Sequence, residues 1–159
     1  MKESIDMRLI KKYGLYTAWL VTSLGMLFSL YFSEIKNIEP CHLCWYQRIS
    51  LFPLFIILGI ATYRGFLGIC RYALPLVGCG LTFALYQIAI QEIPGWNPID
   101  MCGGGPSCAE KIMIGLGPIT IPMLAAGGFI AIAALLIVVW IAEYRSLCSS
   151  TGLETRNSI

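Results

Sequence analysis

Residues 45–63 of this chain read WYQRISLFPLFIILGIATY, and Arg48 is the only charged side chain among them. As a helix rising about 1.5 Å per residue, this stretch covers most of the roughly 30 Å of hydrocarbon in a lipid bilayer. Three further apolar stretches of comparable length occupy residues 14–33, 72–90 and 118–142. The sequence therefore predicts an all-α integral membrane protein whose four transmembrane helices form a bundle.

The composition of the chain favours the same class of protein. Of the 159 residues, 57% are hydrophobic and only 13% are charged, whereas soluble domains carry about 25% charged residues. Four spans with short connections use nearly the whole length, so residues 1–159 are predicted to form a single domain in the lipid bilayer. The formal net charge of +2 is too small to indicate a nucleic-acid partner.

The positions of lysine and arginine predict the orientation, because short positively charged loops stay in the cytoplasm. With the N-terminus in the cytoplasm, eight basic residues lie on the cytoplasmic side and three on the outer side. The cytoplasmic set is Lys2, Arg8, Lys11, Lys12, Arg64, Arg71, Arg145 and Arg156, and the outer set is Lys36, Arg48 and Lys111. Both termini are therefore expected in the cytoplasm, with two loops outside that each carry a cysteine pair.

The first outer loop ends in a Cys-x-x-Cys pair, Cys41 and Cys44, at the start of the second span. If a helix begins near Cys41, then Cys44, Gln47 and Arg48 lie on one face of it. The helix N-terminus and the Arg48 guanidinium both favour a thiolate at Cys44, and the thiolate is the reactive form of cysteine.

Arg48 also needs a hydrogen-bond acceptor at the edge of the hydrocarbon, since a guanidinium is costly there. A quinone carbonyl that gains negative charge would be such an acceptor. Trp45 is typical of an interface anchor and could also form the wall of a flat, ring-shaped site. Gln47 could donate a hydrogen bond to a ligand or to neighbouring backbone, and the sequence leaves both open.

The second outer loop, predicted to be flexible over residues 91–117, carries Cys102 and Cys108 with the segment GGGPS between them. Three glycines let the ends of this segment meet, so an exposed disulfide is plausible there, open to attack by an incoming thiolate. Disulfides persist on the outer side of a membrane. The remaining cysteines, Cys70, Cys79 and Cys148, are expected to be small apolar residues without a redox role.

Two other functions compete with thiol chemistry between the loops. A site formed by Cys41, Cys44, Cys102 and Cys108 would make the protein a metal-binding membrane protein or transporter. We expect no metal, because the outer compartment favours disulfides and the spans lack a line of acidic or histidine ligands. A conduit that carries reductant outward would need cysteines paired within the spans, where only Cys79 lies deep.

The phrase Pro40-Cys41-His42-Leu43-Cys44-Trp45-Tyr46-Gln47-Arg48, with a second cysteine pair in the second outer loop, resembles the DsbB/BdbC family of quinone-dependent disulfide-forming membrane oxidoreductases. The resemblance extends over about residues 12–145 in span count, topology and cysteine placement. The short spacing of Cys102 and Cys108 is similar to the short-loop, BdbC-like branch of that family.

The resemblance implies a protein-dithiol:quinone oxidoreductase in the bacterial cytoplasmic (inner) membrane, with Cys41, Cys44, Cys102 and Cys108 as its catalytic residues. A reduced extracytoplasmic thioredoxin-fold oxidase, similar to DsbA or BdbD, would attack Cys102. A transient bond between Cys41 and Cys108 would then free Cys44 as a thiolate. Ubiquinone or menaquinone from the membrane quinone pool would accept the electrons, next to the residues expected to bind it: Arg48, Cys44, Gln47 and Trp45.

Overall fold

The computed structural model of the chain describes the backbone of residues 2–37, 40–93 and 120–157, and the side chains of residues 9–37, 40–93 and 120–146. Cys102, Cys108 and most of the predicted loop at 91–117 lie outside the described residues, as does the side chain of Cys148. Four long helices make up the described fold: α1 (Lys2–Leu30), α2 (His42–Arg64), α3 (Cys70–Glu92) and α4 (Ile121–Asn157).

Each helix contributes a segment that is long and apolar enough to cross a membrane, and these segments confirm the predicted all-α architecture with four spans. They are Leu9–Ile35, His42–Arg64, Leu67–Glu92 and Ile121–Ser146. The helices extend beyond the apolar stretches of the sequence at several ends. The first two residues of the loop predicted at 91–117, for example, belong to α3. Hydropathy marks only the part of a helix that faces hydrocarbon, whereas backbone hydrogen bonding continues into the polar region.

The helix ends near the connections have specific local geometry. A π-helical turn, Tyr31–Ile35, follows α1 and closes with a hydrogen bond of 3.3 Å from the Lys36 N–H to the Tyr31 carbonyl. At the opposite end of the bundle, α2 ends at Gly65, whose φ of 66° is left-handed, a conformation that glycine adopts without steric cost. A 3₁₀ turn, Leu67–Ile69, leads from there into α3.

The bundle is arranged so that α1 and α3 each pack against both α2 and α4. Its core contains side chains from all four helices, including Leu15, Leu58, Val77 and Leu136. The helices α3 and α4 pack closely at Gly80, where an added Cβ would clash with the Phe129 ring. Lipid is as apolar as these side chains, so close packing of this kind stabilises membrane helices more than burial from water does.

Candidate functional site: a dithiol beside an apolar cavity

The start of α2 brings the first cysteine pair together. Cys41 is the N-cap residue with extended backbone (φ −65°, ψ 167°), and Cys44 lies in the first helical turn. The N–H of Trp45 donates to the Cys41 carbonyl at 3.1 Å, which begins the helical hydrogen bonding. Both cysteines are free thiols, not a disulfide, and their Sγ atoms lie 3.0 Å apart, within hydrogen-bond distance. The two sulfurs are therefore close enough to form a disulfide with a small side-chain movement.

The surroundings of the dithiol favour the thiolate form of Cys41. The hydrogen bond with the Cys44 thiol has the largest effect and, despite opposition from burial, the pKa of Cys41 falls to about 6. The main-chain N–H groups of Cys44 and Leu43 and the Gln87 amide lower the pKa further, although Cys41 forms no side-chain cap of standard geometry. The sequence indicated Cys44 as the thiolate, whereas the free dithiol stabilises charge on Cys41.

Two buried glutamines face the dithiol from neighbouring helices. The Nε2 of Gln47, on α2, donates to the Oε1 of Gln87, on α3, at 2.9 Å. The Nε2 of Gln87 donates in turn to the Sγ of Cys41 at 3.4 Å and to the Sγ of Cys44 at 3.6 Å. Gln87 is 3% exposed and Gln47 is 7% exposed. Each amide offsets the cost of burying the other, because buried polar groups are costly unless they are hydrogen-bonded.

Arg48 lies one turn beyond Cys44 on α2 and is held by α1. Its Nη2 donates to the main-chain carbonyl of Ser29 at 2.8 Å, close to the π-helical turn that ends α1. The guanidinium also lies over the Trp45 ring, 5.6 Å from the ring centroid, within the range of a cation–π contact. A carbonyl and an aromatic face together give the charge the partners it needs at a membrane edge.

A cavity of about 640 Å³ opens beside these groups, with walls from all four helices. Cys41, Cys44, Gln47 and Arg48 line it from α2 or its N-cap, together with Gln87 from α3. The walls from α1, the π-helical turn and α4 consist of apolar and small residues: Gly25, Phe28, Ser29, Phe32, Ser33, Ile121, Pro122, Met123, Leu124, Ala125, Gly127, Gly128, Phe129 and Ile132. A largely apolar pocket with a few converging polar groups is typical of a small-molecule site.

Four of the site residues expected from the sequence therefore share one wall of this cavity: Cys41, Cys44, Gln47 and Arg48. Trp45 is not among the lining residues of the cavity. Its side chain is 51% exposed and contacts the site through Arg48. No group of three histidine, cysteine or acidic side chains forms a metal site within the described residues.

Gln87 is the site residue that the sequence reasoning missed. The available signal was a polar amide near the end of an apolar span, since polar groups inside a membrane segment are costly and usually have a specific partner. Its partners are 40 and 46 residues away in the chain. The rotation of α3 about its own axis, which places Gln87 against the dithiol, is not readable from that signal.

Comparisons with known proteins agree with this chemistry. The family model of the disulfide bond formation protein DsbB matches residues 11–139. A probable disulfide formation protein of Chlamydia trachomatis serovar D is 51% identical over 129 residues, which are 81% of this chain and 93% of that protein. One from Coxiella burnetii (strain CbuK_Q154) is 49% identical over 118 residues, 74% of this chain and 80% of the relative. No solved structure matches the chain significantly.

Proposed function

Because this chain belongs to the DsbB family of membrane proteins that form disulfide bonds, we propose that it oxidises an extracytoplasmic thioredoxin-fold dithiol oxidase and reduces a membrane quinone. The observation that carries this proposal is the shared wall of the cavity, where Cys44 and Arg48 face one apolar space at the start of a membrane span. A hydrophobic oxidant reaching that space from the bilayer would meet a thiol and a cationic donor together.

The proposed relay begins at Cys102 and Cys108, which are joined as a disulfide. A thiolate of the reduced partner attacks Cys102 and releases Cys108 as a thiolate. Cys108 then attacks Cys41 of the Cys41–Cys44 disulfide, so that bond breaks, the Cys41–Cys108 bond forms and Cys44 leaves as a thiolate. The second partner thiol resolves the mixed disulfide, and the Cys102 thiolate re-forms the bond to Cys108, leaving Cys41 and Cys44 reduced.

The quinone supplies the oxidising power of the cycle, since it accepts two electrons and two protons to become quinol while the Cys41–Cys44 disulfide is restored. The cavity suits a quinone ring because its walls are largely apolar and because Cys44 and Arg48 lie together on one of them. Arg48 would donate to the ring oxygen that gains negative charge, and Gln47 lies next to it on the same wall. We propose that Trp45 acts through Arg48, by fixing the guanidinium plane.

The proposed orientation places the dithiol outside the bacterial cytoplasmic membrane and both termini in the cytoplasm. Arg64 and Arg71 support it, because they lie at the end of the bundle opposite Cys41. A dithiol on the outer side could exchange with Cys102 and Cys108, in the compartment where disulfides persist.

The test is a reconstituted reaction of the full-length protein in detergent micelles with ubiquinone or menaquinone and a reduced thioredoxin-fold oxidase. Absorbance spectroscopy follows quinol formation. We expect wild-type turnover, no turnover with Cys44→Ala, and nearly full turnover with Cys79→Ala, because Cys79 is exposed on α3 and does not line the cavity. Absence of turnover by the wild-type protein with either quinone would contradict the proposal.

A further inference from the structure

Gln87 is placed so that one amide group serves two sulfurs. Its Nε2 lies 3.4 Å from the Sγ of Cys41 and 3.6 Å from the Sγ of Cys44, a difference of only about 0.2 Å. The side chain is almost fully buried. It belongs to α3, whereas the two cysteines lie at the start of α2. The donor can therefore reach either sulfur without a change of helix packing.

Gln47 fixes which end of the Gln87 amide faces the sulfurs. The Gln47 Nε2 donates to the Gln87 Oε1 at 2.9 Å, and this bond holds the Oε1 on the side of Gln47. The Gln87 Nε2 is then left on the side of the dithiol. The Sγ–H of Cys44 can also donate weakly to the same Oε1, at 3.8 Å. The amide consequently offers a donor to a thiolate and an acceptor to a neutral Cys44 thiol.

We propose that Gln87, oriented by Gln47, is a positioning residue that stabilises negative charge on whichever sulfur of the Cys41/Cys44 pair carries it. The inference rests on the proposed function, in which the charge changes place during each cycle. In the free dithiol the surroundings favour negative charge on Cys41. When an incoming thiolate attacks Cys41, the Cys41–Cys44 bond breaks, a new disulfide forms at Cys41, and Cys44 leaves as the thiolate. The Gln87 N–H then stabilises the leaving sulfur.

A hydrogen bond to a charged group is stronger than one between neutral groups, although the long N···S distances weaken the bond from Gln87. Loss of the amide should therefore raise the pKa of Cys41 by about 1 unit, from about 6 to about 7. At neutral pH, the stabilisation of the reduced form by ionisation would then fall about fivefold.

The Gln87 substitution leaves the other charged or titratable side chains near Cys41 chemically unchanged. They are His42, the next residue in the chain, Cys44 and Arg48 on α2, and Tyr86 on α3, which packs on the same small cluster as Cys41. The cavity-lining residues of α1 and α4 carry no titratable side chain. A shift in the reactivity of Cys41 in a Gln87 variant therefore reports the amide itself.

The experiment replaces Gln87 with methionine, which is similar in length and has no N–H donor. Full-length protein is reduced in detergent, without quinone or partner, and pulsed with iodoacetamide across a pH series. Fragment-ion mass spectrometry quantifies alkylation of Cys41 and Cys44 separately. We expect the midpoint of Cys41 alkylation to rise by about 1 pH unit, and the equilibrium with glutathione to shift about fivefold toward the Cys41–Cys44 disulfide.

A second arm tests whether the amide is shared. In a Cys41→Ala background, where Cys44 is the only sulfur of the pair, Gln87→Met should slow alkylation of Cys44 at neutral pH by about tenfold. A Cys44 rate unchanged by Gln87→Met would overturn the shared role. An unchanged Cys41 midpoint in the folded Gln87→Met protein would overturn the inference as a whole.

Two further variants keep the test independent of folding and of the proposed function. Gln47→Met retains the Gln87 amide but removes its orienting partner, so it should shift the Cys41 midpoint in the same direction by less. It carries the test if Gln87→Met does not fold. Thr82→Val, which removes a hydrogen bond to the Gly78 carbonyl on an exposed face of α3, should leave the midpoint unchanged. Since no quinone is present, a wild-type protein that fails to reduce quinone would leave these outcomes measurable.

Discussion

Replacing Arg48 with methionine should impair the reaction with quinone far more than the reaction with the protein partner. In the structure the guanidinium lines the cavity, donates to the Ser29 carbonyl at 2.8 Å and lies 5.6 Å from the centroid of the Trp45 ring. If a second donor hydrogen binds the quinone oxygen that gains negative charge, the lost interaction is worth about 1.5–3 kcal/mol. At about 1.4 kcal/mol per factor of ten, kcat/KM for quinone should fall about 10- to 100-fold.

Steady-state quinol formation separates the two half-reactions. One series varies the quinone at saturating reduced partner, and the other varies the partner at saturating quinone. Arg48→Met should lower kcat/KM in the first series and change the second by less than about threefold, because Arg48 takes no part in the attack on the loop disulfide. Arg48→Lys should be intermediate, since it keeps the charge but loses the planar fork that serves two acceptors at once.

Arg64→Met is the matched control, because it makes the same change at the far end of the same helix. It should leave both kcat/KM values near those of wild type. The reasoning would be refuted if Arg48→Met kept kcat/KM for quinone within about twofold of wild type. It would also be refuted if the variant, folded and monodisperse, lost activity equally toward quinone and partner.

Three shorter predictions address packing, ionisation and orientation. Gly80→Val should destabilise the protein by about 1–3 kcal/mol in detergent unfolding, because its Cβ would clash with the Phe129 ring, whereas Gly78→Val, whose Cβ meets nothing within 4 Å, should unfold like wild type. Equal stability of the two variants would contradict this packing. Alkylation of Cys41 should slow about tenfold per pH unit below its pKa of about 6 and level off above it, because only the thiolate reacts. A midpoint near the ordinary cysteine value of about 8.5 would be inconsistent with the hydrogen bonds that Cys41 receives, chiefly the one from the Cys44 thiol. A C-terminal green fluorescent protein fusion should fluoresce and a C-terminal alkaline phosphatase fusion should be inactive, since both termini are predicted in the cytoplasm; the reverse pattern would show the opposite orientation.

The sequence was sufficient to predict the four spans and the all-α class, because both follow from long apolar stretches without regard to how the helices pack. It also brought Cys44, Gln47 and Arg48 to one place, since residues three and four apart on a helix share a face. Both inferences use information local to one segment. The roles of Cys102 and Cys108 remain predictions, because these residues lie outside the described part of the chain.

What the sequence could not supply depends on the rotation of one helix against another. Gly78 and Gly80 are two residues apart, yet only Gly80 touches α4, and Gly127 and Gly128 border open space instead of a neighbouring helix. The contact of Gln87 with the dithiol and the contact of Arg48 with Ser29 also depend on how the helices are rotated, so the sequence did not predict them. Ser29 accepts that bond beside a π-helical turn, a backbone irregularity that no residue in Tyr31–Ile35 signals by itself.

Gln87 and Arg48 contact the site from different helices, so their substitutions are expected to impair different steps. Gln87 on α3 acts on the sulfurs, whereas Arg48, anchored to α1, faces the proposed quinone space. Gln87→Met should therefore alter thiol ionisation with little effect on the KM for quinone, and Arg48→Met should do the reverse. If the two act independently, their losses in kcat/KM should multiply in the double variant. A double variant no slower than Arg48→Met alone would instead place both side chains in one network, with the amide acting only while the guanidinium holds the ligand.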